Sequence, residues 1–403
     1  MSTTDKHIGP REFIALMAML MSMLALSIDA MLPALSAIGE SLQIEEANDT
    51  QLVISIVFLG VSMGLMIYGP LADSHGRKFS ISVGLVIFLI GNLVSIFSSD
   101  LTYMLAGRFL QGFGAASCRV VLIAMIRDKF EGREMGRIMS LIMMIFIMVP
   151  IIAPSLGQAI LLFTDWHMIF VGMALYGLAT LIWLQVRLPE TLSQENRLKF
   201  SLTMIKNGVV ETLTNRTARG YMIASGTVYG AFIGYLSSSQ QILMVQYELG
   251  ELFAVVFGVL AVAIGLSSYL NSRLVIRFGM ERLCMISLTV IMLTSLSFGA
   301  YFSLVAMAAP TLTEFLIYLS IILFNFGLLF GNTNSLAIQP LGHIAGVASS
   351  VISSIQMMIS VIIGSVIGHN YNGTVMPLVA AFTVCSLLSL SIFVHLNKNK
   401  VDG

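Results

Sequence analysis

The chain has 403 residues, of which 57% are hydrophobic and 10% charged, with a net charge of zero and a mean hydropathy of +0.91. Soluble proteins carry about 25% charged residues, so a water-facing surface over most of the chain is excluded. The net charge of zero says nothing about an acidic or basic partner, and no nucleic-acid partner is expected.

A hydrocarbon core about 30 Å thick takes roughly 20 apolar residues per helical span. The apolar runs are unbroken and rich in Leu, Ile, Val, Met and Gly, which selects helices over a lipid-facing barrel. Lys6 and Arg11 precede the first run, from Phe13 to Leu35. It is longer than a signal-peptide core and contains Asp29 and Pro33, so it is read as a retained first helix. Further spans are expected near 51–71, 79–98, 102–126, 138–163 and 167–186. A polar stretch, Arg187 to Arg219, follows. Six more spans are expected near 221–245, 251–271, 283–305, 313–335, 345–368 and 375–396. The expected architecture is an all-α membrane protein of twelve transmembrane helices in two pseudo-symmetric six-helix domains. The domains are 1–186 and 220–403, with 187–219 as a cytoplasmic central loop.

Charge distribution supports this count. Of the 21 Lys and Arg residues, all but Arg108 and Arg119 lie in the N-terminal segment, the loops after even-numbered spans or the C-terminal tail. The opposite loops carry only acids, namely Glu40, Glu45, Glu46, Asp49, Asp100, Asp165, Glu248, Glu251 and Glu314. The positive-inside rule then predicts that both termini are cytoplasmic. The two halves also echo each other: GPLADSHGRK (Gly69–Lys78) follows span 2, and NSRLVIRFGMER (Asn271–Arg282) follows span 8. Parallel repeats of this kind are typical of transporters.

An ionisable side chain inside a span costs about 2.5–3.5 kcal/mol at the helix centre and is a functional hypothesis by default. Asp29, Arg108 and Arg119 are the clear cases. Asp29 lies about 24 Å from the start of its span, at 1.5 Å per residue, and Arg108 enters from the other side to a similar depth. Arg108 and Arg119 are separated by about 20° around their helix and are expected to share a face. Burial disfavours the charged form of a carboxyl group, and a nearby guanidinium favours it. Asp29 beside a movable Arg108 could therefore load and release a proton; the bland alternative is a fixed pair that locks two helices.

Several of these segments resemble the major facilitator superfamily. GPLADSHGRK is similar to its loop signature between spans 2 and 3. LAGRFLQGFGAA (Leu105–Ala116) is similar to its fourth-helix motif, with Arg108, Gln111, Gly112 and Gly114 in register. SIDAMLPAL (Ser27–Leu35) resembles the first-helix motif of twelve-span drug:proton antiporters, and DWHMIF (Asp165–Phe170) and PETL (Pro189–Leu192) add to the match. Together they point to the Bcr/CflA-type multidrug efflux branch. The resemblance implies a proton-coupled exporter of small amphipathic compounds in the bacterial inner membrane, functional as a monomer. It needs no cofactor beyond the proton gradient and works by alternating access. It implies Asp29 as the titrating acid with Arg108 as its partner. It also implies a cytoplasmic gate built on Gly69, Asp73, Gly76, Arg77, Lys78 and Asp128. In the fifth span, Ala153–Gln158 keeps only Pro154 and Gly157 of the family's G-P-x-x-G-G bend.

Other polar residues in spans are candidate linings of a substrate cavity: Arg119, Gln111, Gln240, Gln241, Asn332, Asn334 and Gln356, with Asn325 beside them. Arg119 suggests a substrate bearing negative charge or strong acceptors. Glycine stripes at Gly226/Gly230/Gly234, Gly60/Gly64 and Gly364/Gly368 indicate close helix packing. Cys118, Cys284 and Cys385 are isolated, and no metal-ligand cluster is present. No phosphate loop, nucleophile elbow or zinc motif supports an enzyme or an ATP-driven pump. The alternatives to drug export are a narrow-specificity metabolite or siderophore transporter and, less favoured, a non-transporting sensor.

Overall fold

The computed structural model describes residues 8–197, 202–306 and 309–401. Every regular element among them is helical. The first six expected spans correspond to α1 (Pro10–Asp29) with α2 (Leu35–Ser41), α3 (Leu52–His75), α4 (Arg77–Ile96), α5 (Leu101–Lys129), α6 (Gly132–Phe163) and α7 (His167–Arg187). The last six correspond to α9 (Arg216–Gln240), α10 (Phe253–Phe278), α11 (Met280–Ala300), α12 (Leu312–Ile338), α13 (Ala345–His369) and α14 (Met376–Val401). By length and apolarity alone, 10 stretches can cross a membrane; one of them, Leu312–His369, holds both α12 and α13. Helix α9 falls outside that measure because of its Thr, Ser and Gln residues, although it is of span length. Between the halves, where only a loop was expected, α8 (Leu202–Thr214) forms.

The chain divides into two compact units, with breaks at 45/46, 55/56 and 206/207. Residues 46–55 group with the second unit although the first unit flanks them in sequence. Their hydrogen bonds explain it. Asn48 Nδ2 donates to the carbonyls of His369 and Tyr371, each at 2.9 Å, and the Gln51 amide bonds to that of Gln241.

The first span is broken in the middle. Pro33 has no N–H to continue the helical ladder. Met31 N–H turns back to the Ile28 carbonyl (3.3 Å), and Ala34 N–H to the Met31 carbonyl (3.0 Å), forming a tight 3-10 turn before α2. Helix α6 runs on through Pro150 and Pro154 and presses its Gly157 against this turn; a Cβ there would overlap the Ala30 carbonyl oxygen.

Helices α4 and α5 pack closely through paired glycines seven residues apart. Gly84 and Gly91 on α4 face Gly114 and Gly107 on α5, and a Cβ at any of the four would strike the opposing backbone. In the second unit, Gly226, Gly230 and Gly234 of α9 receive Ile359, Ile363 and Ile367 of α13. Small residues of this kind let membrane helices approach without a hydrophobic driving force.

The two echoing loops are each a single glycine. Gly76 joins α3 to α4 at φ 105°, ψ 158°, and Gly279 joins α10 to α11 at φ 77°, ψ 157°. An L side chain is strained at both, and alanine should cost about 1–3 kcal/mol. At Gly279 nothing lies within 4 Å of the added methyl, whereas at Gly76 it would overlap the Glu190 carboxylate. Gly76→Ala should therefore lower the unfolding temperature of detergent-purified protein more than Gly279→Ala does; equal losses would show that backbone strain alone matters.

Candidate functional site

Candidate residues gather at two places in the first unit. In the core of the first unit, Asp29 is the last residue of α1 and is buried. Arg108 on α5 is wholly buried, its guanidinium 5.8 Å from the centre of the Phe170 ring on α7. The break in α1 provides its anchor. Because Met31 N–H bonds to Ile28, the Ser27 carbonyl lacks its helical donor and instead accepts from Arg108 Nη2 at 2.9 Å. Arg108 Nη1 donates to Gln111 Oε1 at 2.6 Å. The Gln111 amide nitrogen donates to Asn92 Oδ1 on α4 at 2.7 Å, and Asn92 Nδ2 to the Phe88 carbonyl at 2.9 Å. The Asp29 carboxyl group forms neither a hydrogen bond nor an ion pair among the described residues. Sequence reasoning placed Asp29 and Arg108 together; the structure places them in one core, with the guanidinium on the Ser27 carbonyl rather than on the acid.

The second place is the basic end of the first unit. Arg77 pairs with Asp73 one turn before it and, through Nε, with Asp128 Oδ2 at 3.0 Å. Thr191 Oγ1 donates to the same Asp128 oxygen at 3.2 Å. Glu190 caps α4: its carboxylate accepts from the N–H groups of Arg77 (2.9 Å) and Lys78 (3.1 Å), which satisfies orphan donors at the positive end of the helix dipole. Lys78 Nζ donates to the carbonyls of Gln185 and Leu188. Gly76 is the turn that brings these groups together, and Gly69 lies within α3. The Pro189–Leu192 segment, read only as part of a resemblance, is the cap of this cluster.

In the second unit the polar candidates bond to separate partners. Gln356 donates to Ser225 Oγ at 2.5 Å, and Asn332 pairs with Asn271 on α10, Nδ2 to Oδ1 at 2.8 Å. Asn334 Oδ1 is buried without a hydrogen-bond partner among the described residues. Gln240 closes α9, and Gln241 donates to the Ala47 carbonyl and to Asn48 Oδ1, each at 3.1 Å. Arg119 does not share the surroundings of Arg108. Around Arg108 the helices α1, α4 and α7 close over α5; eleven residues further on, about 16 Å along the axis, the Arg119 side chain is exposed.

Sequence reasoning missed Asn92 and the Ser27 carbonyl. The only trace of Asn92 was a lone amide in an otherwise apolar third span, next to Gly91.

The chain was compared with known proteins. The Major Facilitator Superfamily profile matches residues 15–394. An uncharacterized MFS-type transporter of Bacillus subtilis, YdgK, is 30% identical over 400 residues, covering 97% of each chain. A bicyclomycin resistance protein homolog of Haemophilus influenzae is 25% identical over 392 residues, again covering 97% of each. The crystal structure of a D-xylose-proton symporter superposes with a TM-score of 0.71 at 14% identity, covering 94% of this chain and 97% of the other. Helical spans, broken first helix, glycine-turn charge cluster and full-length similarity agree: the chain is a multi-pass membrane transporter that belongs to the Major Facilitator Superfamily.

Proposed function

We propose that this transporter exports small amphipathic compounds across the bacterial inner membrane in exchange for protons, with Asp29 carrying the proton. The observation that carries the reading is the core of the first unit: a buried carboxyl group at a helix break, with no hydrogen-bond or ion-pair partner among the described residues, in the same core as a guanidinium held on the Ser27 carbonyl. A carboxyl group in that position exchanges a proton without breaking another bond. A shift of Arg108 from carbonyl to acid would trade the proton for an ion pair, coupling proton loss to helix movement. Export is supported by the printed name of the bicyclomycin resistance homolog. In this reading both termini are cytoplasmic, the protein acts as a monomer, and the Asp73–Arg77–Asp128 cluster holds the outward-facing state. Arg119, an exposed cation within a span, selects substrates with negative charge or strong acceptors.

Everted membrane vesicles with an acidified interior and a pH-sensitive dye test this. Adding members of a panel of amphipathic antibiotics and dyes should release protons from vesicles that contain the protein and not from vesicles that lack it. Substrate movement that ignores the proton gradient would sink the antiport reading.

A further inference from the structure

Asn92 lies outside every motif discussed above, yet it sets the orientation of the groups around Arg108. Glycine packing makes this possible. Gly91 on α4 meets the Gly107 carbonyl and the Gln111 backbone on α5, so the neighbouring side chains of Asn92 and Gln111 meet at 2.7 Å.

An amide has a donor at one end and an acceptor at the other, whereas a backbone carbonyl only accepts. The Phe88 carbonyl therefore takes Asn92 Nδ2, which turns Oδ1 toward Gln111. Asn92 Oδ1 takes Gln111 Nε2, which turns Gln111 Oε1 toward Arg108. All three side chains are buried, Asn92, Gln111 and Arg108 each at 0% exposure, so water cannot substitute for a missing partner. Reversing Gln111 would aim N–H groups at a guanidinium, which has no acceptor, and reversing Asn92 would aim N–H groups at the Gln111 amide nitrogen and an oxygen at the Phe88 carbonyl. Among the acceptors that hold the guanidinium are Gln111 Oε1 and the Ser27 carbonyl, the latter two residues before Asp29.

We propose that Asn92 is a positioning residue: by fixing the polarity of the Gln111 amide, it parks Arg108 beside Asp29 but off it. This rests on the reading of Asp29 as the proton carrier. Without Asn92 the Gln111 amide is free to turn, its acceptor leaves Arg108, and the guanidinium turns toward Asp29, the one buried acid among the described residues. Other elements packed around this core bring little charge to it. Helix α4 has ionisable residues only at Arg77 and Lys78, and α6 only at Arg133, Glu134 and Arg137, in their opening turns. Helix α7 contributes Tyr176, whose hydroxyl meets Ser22 Oγ at 2.7 Å, besides His167 and Arg187 at its ends. Helix α5 adds Cys118, buried, and Arg119, with Tyr103 in its first turn and Arg127, Asp128 and Lys129 in its last.

The test is an infrared titration of the purified full-length protein, which needs no substrate. The protonated-carboxyl band that disappears in Asp29→Asn identifies Asp29. In Asn92→Ala that band should titrate about one pH unit lower, a tenfold easier proton loss, because Arg108 now pairs with the acid. Gln111→Leu should lower it similarly, and the double variant should add nothing further, since both act through one bond. Asn92→Ser, whose hydroxyl can accept from Gln111 and donate to Phe88, should restore part of the shift and covers the case in which the alanine variant folds poorly. An unchanged midpoint in Asn92→Ala and Asn92→Ser, or additive shifts in the double variant, overturns the positioning role alone. If Asp29→Asn removes no titrating band, the positioning role and the proton reading of Asp29 fall together.

Discussion

Asp29→Asn should abolish substrate-driven proton release from everted vesicles, down to the level of vesicles lacking the protein, while the purified variant unfolds near the wild-type temperature. The two halves of this expectation have different origins. Asparagine has the shape of the acid but no proton to exchange, so coupling is lost outright rather than slowed. The fold is spared because the Asp29 carboxyl group has no hydrogen-bond or ion-pair partner among the described residues to be orphaned. Removing one partner of a buried interaction costs about 1–3 kcal/mol because the other is left unsatisfied; here there is no other. Arg108 keeps the Ser27 carbonyl and Gln111 in either variant. Full proton release by Asp29→Asn would move the proton site elsewhere in the chain.

Gly114→Val should be among the most damaging single substitutions in the first unit, at about 3 kcal/mol or more. Its first methyl carbon would overlap the Gly84 carbonyl oxygen and lie 2.5 Å from the Phe88 backbone nitrogen. Backbone on a helix cannot step aside as the end of a flexible side chain can, so α4 and α5 must separate. That separation also parts Asn92 from Gln111, and the variant should lose transport even where some folded protein survives. Gly172→Val on α7 is the matched control: nothing lies within 4 Å of its added carbon. It should change stability by no more than about 0.5 kcal/mol. Monodisperse yield and unfolding temperature in detergent read both; comparable losses at the two glycines would mean that the α4–α5 contact is not what makes Gly114 sensitive.

The contrast between these sites shows what could be read from the chain. Spans were legible because membrane thickness fixes their length and because basic residues avoid one set of loops. Asp29, Arg108 and the Asp73–Arg77–Asp128 cluster stood out because charge within or beside apolar segments is costly and therefore rare. Asn92 did not stand out: a neutral amide is common in membrane helices, and its importance arises only from a neighbour brought close by glycines on another helix. The break at Met31 was hinted at by Pro33, but nothing in the sequence said which carbonyl it would release or that Arg108 would find it. The different surroundings of Arg108 and Arg119 were not legible for a related reason. Helical phase gives the direction of a side chain, while its surroundings depend on which neighbours cover the helix at that level. Residues 46–55 and α8 were missed because hydropathy says that a segment enters or leaves the membrane, not which part of the protein it adheres to.

The single-glycine turns at Gly76 and Gly279 bear on how the two halves came to differ. Around them the side chains have lost nearly all likeness: Arg-Lys follows one and Met-Glu the other, and only the first is capped by a carboxylate from a later segment. The backbone angles nevertheless agree closely in ψ, and both lie in the left-handed half of φ. If the halves descend from one duplicated ancestor, conformation has outlasted chemistry at this joint, because a mirror-handed residue leaves evolution almost no choice but glycine. Ancestry between such worn repeats is then better traced through their dihedral angles than through their residues.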